Sequence, residues 1–263
     1  MLRVSSRNNP RLKEATRLVA SSRDRRKAGK CVLEGEHLIE AYVQGHGAPD
    51  TLLVTEAFLE RPAARRLAER FEARTLIVPE SLFGEIAVLP AGVGMLAVVD
   101  TPNPAVDDAA EFCLLLDEVQ DPGNVGSILR SAAAAGVSQA FLSPHCAFAW
   151  SPKVLRAGMG AHFHLAVHED VDLPAWSRAY RKRGGRVVAT VREGGGDLYR
   201  AKLARPLAVA IGNEGVGLTP AMLDVASDRL TIPMPGRVES LNAAAAAAVV
   251  LFECVRRDTR GSG

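Results

Sequence analysis

The sequence predicts an α/β protein in two parts, and three observations carry that reading. Short apolar runs such as "CVLEG", "TLLV", "FCLLLD" and "LAVAIG" recur between segments of helical spacing, the alternation that builds layered sheets with helices on their faces. The runs after residue 111 are continuously apolar rather than alternating, as parallel strands buried on both faces require. Between the two series lies "DTPNPAVDDAAE", Asp100 to Glu111, with two prolines, a cluster of acids and no period. It reads as a linker, giving domains 1–100 and 112–263 joined by 101–111.

In order along the first domain, residues 11–30 carry helical spacing, with Leu12, Ala15, Leu18 and Val19 on one face. "CVLEG", Cys31 to Gly35, is a strand, and "EHLIEAYVQG" a helix stopped by Gly45. "DTLLVTE" is the next strand. "RPAARRLAERFE" starts a helix at Pro62 with Ala64, Leu67, Ala68 and Phe71 facing the core. "TLIVPESLFGEIA" gives strand then helix, and "GVGMLAVVD" a closing strand. After the linker, "FCLLLDEV" is a buried strand. Helices are then predicted over 124–135, 151–158, 173–183, 219–225 and 240–256, and strands over 139–143, 163–167, 186–191, 207–212 and 229–232. The run Ala243 to Ala248 sits in the last helix. Alanine favours helix, and its small side chain suits close helix–helix or subunit contact.

With 263 residues, 48% hydrophobic and 24% charged, the chain has enough apolar sequence for a sizeable core, and global disorder is excluded. No apolar run reaches the ~18 residues of a membrane span, and Met1–Leu2–Arg3 leads into polar sequence, so a cytoplasmic location is expected. Cys31, Cys113, Cys146 and Cys254 are scattered without a CxxC pair and read as free thiols rather than a disulfide frame or zinc site. Residues 1–30 hold ten Lys/Arg against Glu14 and Asp24, a net +8, so the remainder carries −6. Such asymmetry suits either a nucleic-acid footprint or a solvated helix face. The candidates for RNA contact are Arg7, Arg11, Lys13, Arg23, Arg25, Arg26 and Lys27.

Chemistry concentrates in three segments of the second domain. "DEVQDPGNVGSILR" ends a strand in a Pro-Gly turn, with Asn124 where a helix begins and Arg130 six residues further on. In isolation Asn124 could be a helix cap and Arg130 a surface ion pair. The loop Gly212-Asn213-Glu214-Gly215-Val216-Gly217 follows a buried strand; its glycines allow close backbone approach, and it does not match GxGxxG. "IPMPGRVESLN" is held extended or turning by Pro233 and Pro235, and Ser240 or its polar neighbours are placed to cap the alanine helix. Loops of this kind at the ends of adjacent strands build a small-molecule pocket.

Taken together, NxGxxxR (Asn124, Gly126, Arg130), GNEGxGL (Gly212 to Leu218) and IPMxGxxxSLN (Ile232 to Asn242) resemble, in order, the three motifs of the SpoU/TrmH family of the SPOUT class. The resemblance covers roughly residues 112–256. The N-terminal stretch is more loosely similar to the ribosomal-protein-like RNA-binding domain of many members. What the resemblance implies is an S-adenosylmethionine-dependent RNA ribose 2′-O-methyltransferase, acting on ribosomal RNA in preference to tRNA. The implied fold is a parallel-sheet domain with a deep C-terminal trefoil knot, working as a homodimer through that domain, beside a smaller α/β RNA-binding domain. Gly212, Ile232 and Leu241 match positions whose backbone holds the adenine end, and Thr190 is a further candidate for the cofactor pocket. Arg130 matches the arginine implicated in the reaction. A guanidinium is not deprotonated in proteins and is a poor base, so gripping the adjoining phosphate and stabilising the developing alkoxide is its easier role. Glu214 and Asn124 are expected to orient Arg130 and the RNA, and Ser240 and Asn242 to shape the knot loop. The chain departs from the pattern after Asn242, where Ala243-Ala244 lacks the hydroxyl many members carry.

Other patterns carry less. His162, His164 and His168 would share a strand face, but no carboxylate or cysteine is spaced to complete a metal site, and none is expected. "RAYRKRGGR", Arg178 to Arg186, reads equally as a solvated helix end or as a second RNA-contacting patch. "REGGGDLY" reads as a flexible surface loop, placed after Thr190 where a lid could sit. The competing functions are a non-catalytic RNA-binding or ribosome-assembly protein of the same fold, and a methyltransferase acting on a base.

Overall fold

The computed structural model describes residues 1–87 and 93–260; the start of the expected strand "GVGMLAVVD", Gly92, lies outside them. Contacts divide the chain into two compact units, Met1–Pro102 with Trp150–Phe163, and Asn103–Ala149 with His164–Gly263. The second unit is therefore not one uninterrupted stretch, as the expected domain 112–263 has it. Trp150 packs on His162 within the first unit, with ring centroids 5.3 Å apart. Pairing of that kind shows only in three dimensions.

In the first unit the elements are β1 (Leu2–Arg3), α1 (Pro10–Ala20), α2 (Ser22–Ala28), β2 (Lys30–Glu34), α3 (Glu36–Gly45), β3 (Thr51–Thr55), α4 (Pro62–Arg70), β4 (Thr75–Val78), α5 (Glu80–Ile86) and β5 (Met95–Asp100). The sheet order is β1-β4-β3-β5-β2. Strands β1, β4 and β3 run parallel, while β5 runs antiparallel to both β3 and β2. Leu12, Ala15 and Leu18 are buried from α1, as their spacing predicts.

The single helix expected over 11–30 is two helices. Ser21 adopts an extended conformation, and its hydroxyl accepts from the Asp24 N–H at 3.1 Å, capping α2. Gly29 ends α2 at φ +62°. Arg25 is 5% exposed, and its guanidinium donates to the Leu18 and Val19 carbonyls at 2.6 and 3.0 Å. It thus satisfies the end of α1 and is withdrawn from solvent, which corrects its expected RNA contact. Arg25→Gln is expected to destabilise the protein by about 1.5–3 kcal/mol, the worth of charge-assisted bonds to buried carbonyls, with RNA affinity unchanged. Chemical denaturation and RNA titration of the folded variant check both.

The second unit contains β6 (Phe112–Asp117), α6 (Pro122–Ala134), β7 (Gln139–Leu142), β8 (Ala166–His168), α8 (Leu173–Lys182), β9 (Arg186–Thr190), β10 (Gly196–Asp197), β11 (Leu207–Gly212), α9 (Pro220–Val225), β12 (Asp228–Thr231) and α10 (Ala243–Arg260); α7 (Pro152–Gly158) belongs to the first unit. Its seven strands are all parallel, in the order β10-β12-β9-β11-β6-β7-β8. β6, at the heart of the sheet, is buried at every position, as an unbroken apolar strand with helices on both faces must be. Part of the expected loop "REGGGDLY" is β10, the edge strand beside β12; its glycines mask the strand signal. The strand expected over 163–167 begins only at Ala166, and a 3₁₀ turn, Ala161–Phe163, precedes it. His162, His164 and His168 consequently do not share a face. His162 is buried against Trp150, His164 is exposed, and His168 stacks on Phe141 and bonds to Gln139. Among the described residues no cluster of metal-ligating side chains forms, and no helix is long and apolar enough to cross a membrane. All four cysteines are free, and burial pushes the Cys31, Cys113 and Cys254 thiols up to about 12.

Helix α10 packs on α6 and β11, and Ala247, Val250 and Leu251 are buried on it, so part of the alanine run serves intrachain packing. Near its end Glu253 is 6% exposed and accepts from Arg256 and Arg257 at 2.7 Å. Arg257 in turn donates to the Leu198, Tyr199 and Ala201 carbonyls. The Arg256 bond, then burial opposed by the Arg257 bond, leaves the Glu253 carboxyl at about 2, below its ordinary 4.5. A depressed carboxyl pKa stabilises the fold above the unfolded value, and that stabilisation is lost as pH falls from about 5 towards 2. Melting curves across that window are expected to fall for the wild type and to be flatter for Glu253→Gln, which starts lower at neutral pH.

Candidate functional site

Parallel strands aim their carboxyl ends at one side of a sheet, and ligands of open α/β sheets bind there. Here the ends of β9, β11 and β12 open on a cavity lined by Thr190 to Arg192, Ile211 to Glu214, Val216 to Leu218, and Ile232, Met234, Ser240 and Leu241. The walls are therefore three loops far apart in sequence. The leucine, isoleucine, methionine and alanine lining gives an apolar slot. Residues 232–242 lie outside any helix or strand, leaving main-chain groups there that no ladder consumes.

Gly212 closes β11 against the returning loop. A Cβ on it would stand 2.3 Å from the Gly217 carbonyl carbon and from the Leu218 nitrogen, so only glycine fits. That loop is pinned at every turn. Asn213 and Gly217 exchange two backbone bonds of 3.0 Å. The Asn213 side chain accepts from Gly215 and Val216 N–H and donates to the Glu118 carbonyl at 2.9 Å. Buried Asp117 accepts from Thr219 N–H at 2.7 Å. Glu118 itself sits at φ +57°, held also by Ser143, a strained conformation that this bracing maintains.

A relay of side chains joins the three motif segments. Asn242 donates to the Asn124 Oδ1 at 2.8 Å, and Asn124 Nδ2 donates to the Glu214 Oε1 at 2.9 Å. Glu214 also accepts from the Asp121 and Gln120 N–H groups at 3.2 and 3.4 Å. Partial burial raises the Glu214 carboxyl pKa, but the Asn124 amide and the backbone N–H groups outweigh it and leave the pKa lowered. Glu214 is thus a carboxylate at neutral pH. Asn124 does not cap α6: Asp121 does, accepting its N–H at 2.7 Å. Both ends of the Asn124 side-chain amide are spent on the relay. The cap of α10 is Asn242, whose Oδ1 takes the Ala244 and Ala245 N–H groups; Ser240 lines the cavity instead.

Of the expected cofactor residues, Gly212, Ile232, Leu241 and Thr190 all line the cavity, and Thr190 is fixed by donating to the Ala210 carbonyl at 2.8 Å. Arg130 is placed apart. It lies six residues beyond Asn124 on α6, about 9 Å along the axis and about 120° around it, outside the cavity lining. It is exposed, and no hydrogen bond or ion pair engages it among the described residues. Glu214 and Asn124 therefore bind each other rather than Arg130, which corrects the expected orienting contact. Sequence reasoning missed Asp117, Asn213 and Arg192. Asn213 lies inside a quoted motif, but its use as a loop clasp has no sequence signature. Arg192 lines the cavity and donates to the Gly215 carbonyl at 3.1 Å, and only its nearness to Thr190 could have flagged it.

In the basic N-terminal segment, Arg11 is partly buried and donates to Thr51 Oγ1 at 3.1 Å and to the Asp50 and Arg74 carbonyls, so it is a structural clasp, contrary to expectation. Arg7 is exposed and pairs with Glu85. Lys13, Arg23, Arg26 and Lys27 are exposed on α1 and α2.

Comparison with known proteins agrees with this architecture. Residues 111–252 match the SpoU rRNA Methylase family, and residues 9–97 match the MRM3-like substrate binding domain. The chain is 30% identical to the 23S rRNA (guanosine(2553)-2'-O)-methyltransferase RlmP of Bacillus subtilis, over 96% of this chain and 98% of that one. It is 31% identical to the 23S rRNA (uridine(2479)-2'-O)-methyltransferase of Streptomyces viridochromogenes, over 98% and 93%. The solved SpoU methyltransferase AviRb of the same species, in complex with the cofactor AdoMet, superposes with a TM-score of 0.85 at 30% identity, covering 96% and 99% of the two chains. An AdoMet-bound rRNA methyltransferase from Sinorhizobium meliloti gives 0.85 at 27%, covering 97% of each. With its family match spanning more than half the chain and relatives alike over nearly their full length, the protein belongs to the SpoU rRNA methylase family.

Proposed function

We propose that this chain transfers a methyl group from S-adenosylmethionine to a ribose 2′-hydroxyl of RNA, with ribosomal RNA as substrate. The observation that carries the reading is the Asn242–Asn124–Glu214 relay at a cavity built by three loops at the carboxyl end of the sheet. The cavity suits the cofactor. Gly212 lets the Gly217–Leu218 backbone pass where a Cβ would collide with it, which shapes the slot, and apolar walls with available main-chain groups around Ile232 and Leu241 suit an adenine. When bound there, the cofactor supplies an electrophilic methyl group.

What remains for the protein is alignment and charge. Glu214, its oxygens occupied by Asn124 and two N–H groups, orients rather than accepts the proton. Ser240 is exposed at the cavity and can bond the ribose. Arg130, whose side chain has no partner among the described residues, grips the adjoining phosphate and stabilises the developing alkoxide, the proton leaving to that phosphate or to water. Its distance from the relay on α6 supports a homodimer through the C-terminal unit, in which Arg130 of one copy serves the cavity of the other. The deep trefoil knot belongs to the same proposal, supported by three remote loops wrapping one cavity and by the tight crossing at Gly212. Residues 1–100 take the RNA through exposed cations of α1 and α2, in the cytoplasm where ribosomes are made.

Labelled methyl transfer to ribosomal RNA, followed by nuclease digestion, tests the reading. A 2′-O-methylated nucleoside is expected. A base-methylated product, or no transfer to any cellular RNA, overturns it.

A further inference from the structure

The motif "RAYRKRGGR" is not used by the methyl-transfer site, and the structure gives it company. Two surface cavities of the second unit meet where β9 and β12 begin. One is lined by Arg178, Arg181, Lys182 and Ser227, with Gly184 and Gly185. Arg186, Arg200, Lys202 and Arg229 line the other, with Asp197 and Asp228. They open on opposite sides of the sheet, since Arg186 and Val188 line the second while Val187 packs with Tyr180 of α8 beneath the first. They adjoin at the rim where the strands start: Gly185 and Arg186 are neighbours, as are Ser227 and Asp228, and Val187 and Ser227 exchange bonds of 3.1 and 2.7 Å across the strands.

Seven cations thus face two carboxylates, drawn from three separate stretches of chain. Some are committed. Arg186 pairs with Asp228, and Arg181 and Arg229 donate to the Val225 and Leu223 carbonyls. Arg178, Lys182 and Lys202 are exposed, and among the described residues no hydrogen bond or ion pair engages their side chains, although the Lys202 carbonyl accepts from Arg186 at 2.8 Å. A surface that gathers uncompensated cations repels itself and favours an anionic partner. Next to Arg200 in the chain, Tyr199 is 51% exposed, while its carbonyl is held by Arg257 at 2.6 Å. Exposed aromatic surface beside cations is the combination that holds single-stranded nucleic acid.

The patch is not part of the methyl-donor site. On β9, Arg186 begins the strand and Thr190 ends it at the cofactor cavity, four residues or about 13 Å away. We infer that this rim of the sheet is a second RNA-binding surface, which holds the phosphates of a single-stranded substrate segment several nucleotides from the methylated ribose. The inference rests on the proposed RNA methyl transfer.

The test is the triple variant Arg178→Gln, Lys182→Gln, Lys202→Gln in the full chain, beside Tyr199→Ala and Tyr199→Phe, assayed on ribosomal RNA across a salt series. Among the described residues none of the three side chains has a hydrogen-bond or ion-pair partner, so folding and cofactor affinity should be unchanged. The expected result is a KM for RNA raised about tenfold or more at low salt with kcat retained, and a salt slope of RNA binding reduced by about 2, since each lost single-strand phosphate contact removes ~0.7. Tyr199→Ala should raise KM and Tyr199→Phe should not. An unchanged KM and salt slope in the triple variant overturns the inference, including the case in which the rim meets a protein instead. Wild-type failure to methylate any RNA overturns the proposed function itself and is read separately.

Discussion

Arg130→Ala is expected to lower kcat by about 10²–10³-fold, the usual cost of removing one preorganised group that meets developing charge, while cofactor affinity stays at the wild-type value. The second half follows from geometry: Arg130 does not line the cavity, whereas Gly212, Ile232 and Leu241 do. Arg130→Lys should fall between, because an ammonium keeps the charge but loses the planar fork that clasps phosphate. Calorimetric cofactor titration with single-turnover kinetics separates the two quantities. Loss of cofactor binding in Arg130→Ala would contradict the assignment. Mixing Arg130→Ala with a second inactive variant altered in the cofactor cavity adds a sharper readout. If Arg130 of one copy serves the other's cavity, mixed dimers contain one intact composite site and regain part of the activity. No recovery would place Arg130 and the cavity in the same copy.

Gly212→Ala should nearly abolish cofactor binding, weakening it by at least ~100-fold, about 2.7 kcal/mol, with a lower melting temperature. The new methyl group would sit 2.3 Å from two backbone atoms, and the loop it meets cannot retreat cheaply. Asn213 clasps it to Glu118, Asp117 holds Thr219, and Glu214 is tied to Asn124. Overpacking relieved only by backbone displacement costs about 1–3 kcal/mol or more. Gly236→Ala, in the neighbouring loop with nothing within 4 Å of its would-be Cβ, is the matched control and should be near neutral. Equal effects of the two would mean that the crossing at Gly212 is softer than drawn.

Much of the fold was legible because its signals are local. Leu12, Ala15 and Leu18 mark the buried face of α1 by spacing alone, and "FCLLLD" marks a strand buried on both sides by unbroken apolarity. Elements failed to read where local signals conflict. Ser21 stops a helix whose flanks both favour helix, and three glycines hide the edge strand β10. His162 and His168 look periodic but straddle a turn. In the site, the motif residues were visible as types and order, and four expected cofactor residues do meet in one cavity. The relay that joins Asn242, Asn124 and Glu214 spans 118 residues from end to end, and nothing in a one-dimensional pattern says which amide meets which carboxylate. Arg25 and Arg11 show the same limit in reverse, since charge counting treats a buried clasp and a free cation alike.

By itself, then, the sequence determined the α/β class, the helix and strand faces, the requirement for glycine in the 212–217 loop and the polar inventory of the site. These depend on backbone propensity and on the period of burial, which neighbours in the chain decide. The tertiary structure alone decided which strands adjoin, that three distant loops share a cavity, that Glu214 partners Asn124 while Arg130 stands apart, and that basic residues from three stretches gather at one rim of the sheet. Those outcomes depend on distances between residues a hundred positions apart, and only packing sets them.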